Sequence, residues 1–97
     1  MPAPKFQLGQ TVATLGAVEA LQEACVNPLT LLDRHIRGDW GDLDEHDTRQ
    51  NEIALLYGSR ILSAYNLTTG DRIWIITEGT DDRGIRRSTC ILLPPEY

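Results

Sequence analysis

A chain of 97 residues with a net charge of −5 and a hydrophobic share of 41% describes one globular domain, able to bury about two thirds of its unfolded surface without disulfides or metals. Its acidic balance argues against general nucleic-acid binding, and no apolar run approaches the ~18 residues that a membrane span needs. The start, Met1 to Gln7, lacks the apolar core of a secretion signal, so a cytoplasmic setting is expected, with Cys25 and Cys90 reduced and buried as small hydrophobes.

The charge is unevenly spread. Residues 1–59 hold four basic and nine acidic side chains, and residues 60–97 hold five of each, so the whole surplus lies in the first half. Most of it falls between Asp39 and Glu52. Such a face keeps a domain soluble and suits a basic protein partner.

In chain order, residues 1–10 read as an extended arm with two prolines and a glycine, and Gln10 to Ala13 offer a short edge strand. Thr14 is a helix cap before the Val18, Leu21, Cys25 spacing, which predicts a helix to about Val26. Asn27-Pro28 restarts a second helix, with Leu29, Leu32 and Ile36 on one stripe and Leu31 and His35 beside it, until Gly38 ends it. Trp40 sits in the Asp39-Trp40-Gly41-Asp42 turn; burial energy favours its folding back as a plug, and a place in an exposed contact patch is the alternative. Asp44 and Asp47 resemble a capping box that opens a third helix, Glu45 to Tyr57, with Ile53, Leu56 and Tyr57 as its buried stripe and Gly58 as its exit.

Residues 60–93 then read as a three-stranded antiparallel meander. Ile61, Ser63 and Tyr65 face one side and Leu62 and Ala64 the other, while Ile73 and Ile75 oppose Trp74 and Ile76. A third strand, Thr89 to Leu93, ends at Pro94-Pro95. The Leu67-Thr68-Thr69-Gly70-Asp71 turn is short enough to pair the first two strands antiparallel. The polar loop from Gly79 to Arg87 is the longest and is expected to be the most mobile. The fold class is therefore α+β, three N-terminal helices (residues 14–58) packed on a C-terminal meander in one domain.

No cofactor or metal is expected. Two histidines eleven positions apart and two cysteines in different elements match no zinc spacing. Asp42-x-Asp44-x-His46-Asp47 starts like a calcium loop, but the required glycine is Asp47 and the closing glutamate is Ile53. Phosphate-cradling glycine patterns are absent. Acid/base chemistry would have to be assembled from His35, Arg60 and Tyr65, a base, a cation and a phenol of the kind a metal-independent ribonuclease or toxin uses. A net charge of −5 opposes a polyanionic substrate, and Arg60 alternatively pairs with Asp47 or Glu52 or caps helix carbonyls near Tyr57. For protein contact, the candidates are Trp40 and Trp74 with the carboxylates Asp39, Asp42, Asp44 and Glu45, and an open sheet edge would also permit a homodimer.

Arg34-His35, Gly38-Asp39-Trp40-Gly41, Asp47, Asn51, the run Gly58 to Tyr65, Ile73 to Glu78 and the ending Leu92-Leu93-Pro94-Pro95-Glu96-Tyr97 together resemble a family of short bacterial proteins carried on plasmids and other mobile elements. The similarity covers about residues 8–97, although relatives join the last two strands by a shorter turn than the one around Asp82-Arg83. Some members carry a type I restriction methylase label, which does not fit: no methylase motif is present, and a chain of this length has no room for the cofactor fold. The resemblance implies a mobile-element setting, where small acidic proteins act by binding another protein as inhibitors of host defence, antitoxins or adaptors. The expected function is thus a non-enzymatic protein-binding module, with a ribonuclease or toxin as the alternative.

Overall fold

The structure is a computed structural model that describes residues 3–97. Its elements are β1 (Gln10–Ala13), α1 (Leu15–Glu23), α2 (Pro28–Ile36), α3 (Glu45–Tyr57), β2 (Ile61–Asn66), β3 (Arg72–Thr77), β4 (Ser88–Leu92) and a closing 3-10 turn, Pro94–Glu96. The α+β class and the antiparallel run β2-β3-β4 are as the sequence implies. The sheet, however, has four strands in the order β1-β4-β3-β2, and β1 pairs parallel with β4, which makes it mixed. No helix among the described residues is long and apolar enough to cross a membrane.

Local chemistry sets the helix ends. Thr14, Asn27 and Asp44 each accept a backbone N–H of the first turn that follows, relieving donors that the helix itself cannot satisfy. Gly58 leaves α3 in the left-handed region. α1 closes earlier than its spacing predicts, because Cys25 takes that same conformation (φ 56°) while its N–H bonds Gln22 and Val26 N–H bonds Leu21. Cys25 is consequently exposed and Cys90 half-buried, so neither is the buried hydrophobe expected.

One face of the sheet is the core. Ile61, Ser63, Tyr65, Ile73, Ile75, Thr77, Thr89 and Ile91 alternate with outward residues along β2, β3 and β4, and all are buried under the helices. The helical stripes differ from the apolar spacing. α1 buries Ala17, Ala20 and Leu21 and leaves Val18 out; α2 buries Leu31, Leu32 and His35 and leaves Leu29 out. α3 departs furthest, since it buries Asn51 and Ala54 while Ile53, Leu56 and Tyr57 stay in solvent.

The reason lies at the edge of β2. The Asn51 side chain donates to Leu62 C=O (2.6 Å) and accepts from Leu62 N–H (3.1 Å), mimicking a neighbouring strand. Farther along, Ala64 N–H bonds Trp40 C=O, Asp42 N–H bonds Ala64 C=O, and the Asp42 carboxylate accepts from Asn66 N–H. Gly41 (φ 77°) lies against Ala64 so closely that any Cβ would strike its carbonyl. This edge is therefore closed to a second copy, which leaves β1 as the sheet's outer strand.

Candidate functional site

His35, Arg60 and Tyr65 do not share a cleft. His35 is fully buried on the core face of the sheet. Thr89 donates its hydroxyl proton to Leu8 C=O (2.7 Å), so it must accept from Thr77 (2.7 Å), and Thr77 in turn accepts from His35 Nε2–H (2.8 Å). Nδ1 is then the acceptor of the Ser63 hydroxyl. The chain of bonds ties the arm, β4, β3, α2 and β2 together and holds the imidazole as one neutral tautomer. Burial, helped by the nearby positive charge of Arg86, lowers its pKa from 6.5 to about 3.

Tyr65 is also buried, and its hydroxyl donates to Asp39 C=O (2.7 Å). Burial pushes the phenol up to about 12, too high for an acid at neutral pH. Arg60 belongs to the opposite face, where its guanidinium lies 5.3 Å from the ring centre of Tyr97. With Leu62, Trp74, Ile76 and Tyr97 it lines a shallow apolar groove there, and the Trp74 and Tyr97 rings meet edge to face at 5.9 Å.

The residues expected to bind a partner fall in three places. Trp40 is 4% exposed and packs with Ala54 and Ile61 under α3, stacked 6.2 Å from Phe6. The plug is what forms, and the indole is not available as an anchor. Its Nε1–H has no acceptor among the described residues, a cost of about 1–3 kcal/mol set against the burial of a large ring. Asp39 is paired with Arg34 (2.7 and 3.2 Å), and this bond holds its carboxyl below the ordinary range; Asp42 holds Asn66 N–H, and Asp44 caps α3. These carboxylates fix the turn that closes the β2 edge. Glu45 is exposed beside Arg49, and Trp74 stands half-exposed on the outer sheet face. Asp44, His46 and Asp47 offer atoms within 4.8 Å of one another, all exposed, as carboxylates around a helix start commonly do without an ion.

What the structure does assemble lies on the other flank of α3. An open cleft of ≈ 650 Å³ runs between the arm, the end of α3 and the loop before β4. Leu56, Tyr57 and Ile85 stand along it, and Arg86 lies in its wall. Leu56 is 80% exposed, Tyr57 78% and Ile53, one turn earlier, 41%. The loop is held by Asp81, whose carboxylate accepts from Ile85, Arg83 and Arg87; the same bonds lower its pKa.

Arg86 takes the helix-capping role that Arg60 was a candidate for. Only 6% exposed, it donates from Nη1 to Ser59 C=O (2.7 Å) and Glu78 C=O (3.0 Å), and from Nη2 to Ala54 C=O (3.2 Å) in the last turn of α3. A cation there meets the negative end of the helix dipole. Its guanidinium lies 5.7 Å from the ring centre of Phe6, and burial lowers its pKa. Nothing in the sequence distinguishes Arg86 from the other arginines. The exposed ridge was missed because its residues are the apolar types that normally mark a core.

Compared with family models, curated proteins and solved structures, the chain finds no match.

Proposed function

We propose that this protein is a small cytoplasmic, non-enzymatic binding module of mobile-element type, which engages a protein partner through α3. One observation carries the reading. The helix turns Ile53, Leu56 and Tyr57 into solvent, where they form a contiguous apolar ridge at i, i+3 and i+4 spacing beside a cleft. An isolated exposed leucine is ordinary; a ridge of three large apolar side chains, extended by Ile85 across the cleft, fits a contact surface. Glu45, Asp47 and Glu52 line the earlier turns of the same helix, so a partner with an apolar patch and a basic rim is complementary to it.

On this reading the contact lies on α3, away from the buried Trp40. No observation favours the ribonuclease alternative, whose three residues lie on opposite faces of the sheet. The test is site-specific photocrosslinking in a bacterial host, with the reactive residue at Leu56 or, as an exposed control on another element, at Leu29. A discrete crosslinked band from Leu56 that weakens with salt and with Glu52→Lys is expected. Equal labelling from Leu29, or none from Leu56, would reject this surface.

A further inference from the structure

We propose that the cleft beside α3 receives an acidic side chain of a protein segment, held by the guanidinium of Arg86 while bulky apolar neighbours of that acid pack on Leu56, Tyr57 and Ile85. This inference rests on reading the α3 ridge as a protein contact and adds the partner's chemistry. Three backbone carbonyls occupy both Nη1 protons of Arg86 and one at Nη2. The Nε–H and the remaining Nη2–H have no protein acceptor among the described residues. No carboxylate pairs with Arg86 there either, so a nearly buried cation in the cleft wall keeps its charge and two donors for an incoming group. Lys5 also lines the cleft, while the end of its side chain lies against Gly38, just after α2.

Charge complementarity therefore runs in opposite senses along α3. Its first turns are acidic, and the cleft by its last turn is cationic. A segment that offers basic groups to the first and a carboxylate to the second has only one favourable direction of docking. The apolar rim selects bulky residues next to the acid.

Because replacing Arg86 would also unseat the carbonyls of Ala54, Ser59 and Glu78, the decisive change is made in the ligand. The probes are acetyl-Phe-Leu-Glu-Leu-Phe-amide and its glutamine counterpart, titrated into the ¹⁵N-labelled full chain and followed by NMR. The glutamate peptide is expected to shift the Arg86 Nε–H and the backbone amides of Tyr57 and Ile85, and to bind roughly ten-fold more tightly than the glutamine peptide, as loss of a charge-assisted bond implies. Equal affinities, no shifts at millimolar peptide, or shifts confined to Trp74 on the outer sheet face would overturn the assignment. Acetate reproducing the same shifts at the same concentration would overturn the requirement for apolar flanks. Crosslinks from Leu56 with no peptide binding would leave the ridge as the contact and remove the cleft; peptide binding without crosslinks would do the reverse.

Discussion

The two sides of this small domain treat polar groups in opposite ways. Under the helices, the hydroxyls of Ser63, Thr77 and Thr89 and both nitrogens of His35 are joined in one chain of bonds that ends on Leu8 C=O. Beside α3, an arginine keeps unshared donors and three large apolar side chains stand in water. The first arrangement has nothing left to offer a ligand, which makes it structural, whereas the second is unfinished by the chain itself. An imidazole, a phenol and an arginine in one sequence are therefore poor guides to a site until it is known which of them have unused bonds.

The largest expected effect tests the finished side. His35→Ala should cost about 3–5 kcal/mol in urea unfolding, because it opens a cavity and strands the Ser63 and Thr77 hydroxyls. His35→Gln, whose amide has both a donor and an acceptor, should recover part of that loss. A cost below about 1 kcal/mol for the alanine variant would mean that the network does not hold the fold.

Acid sharpens the same point. Above 6.5 the imidazole is neutral in both the folded and the unfolded chain, and the stability tied to it is fully present. Between 6.5 and about 3 only the unfolded chain takes up the proton, so stability should fall by about 1.4 kcal/mol per pH unit. His35→Gln should flatten that stretch. Asp39, held low by Arg34, adds its own loss only as the pH drops below the usual carboxylate range. A stability flat from pH 7 to 4.5 in the parent chain would contradict the buried neutral histidine.

Much of the architecture could be read from residue types that act locally. Thr14, Asn27-Pro28, Asp44 and Gly58 mark helix ends through bonds and dihedrals that involve only near neighbours. The strands were legible from their β-branched and aromatic residue types and from their turn and proline boundaries. The core faces were not, because packing is decided across the chain. The edge of β2 required an amide at Asn51, and meeting that need fixed how α3 is turned, against the apolar periodicity of Ile53, Leu56 and Tyr57. Small hydroxyl residues on one face of three adjacent strands, facing a helix histidine, were the available clue to the buried network. Arg86 gave none, since its partners at Ala54, Ser59 and Glu78 are near it only in the fold.

The smallest expected effect decides whether the ridge is a contact or a misplaced core. If Leu56 and Tyr57 belong to the packing of the free chain, Leu56→Gln and Tyr57→Gln should each destabilise it by well over 1 kcal/mol, as loss of buried apolar area does. Glutamine keeps helix propensity and removes the apolar surface, so at positions as exposed as these each change should lie within about 0.5 kcal/mol of the parent. The same substitutions should weaken partner capture through α3 at least ten-fold if the ridge anchors it. Unchanged stability with lost binding is the combination that only a contact surface produces, and unfolding curves paired with crosslinking yields on the same variants can measure both.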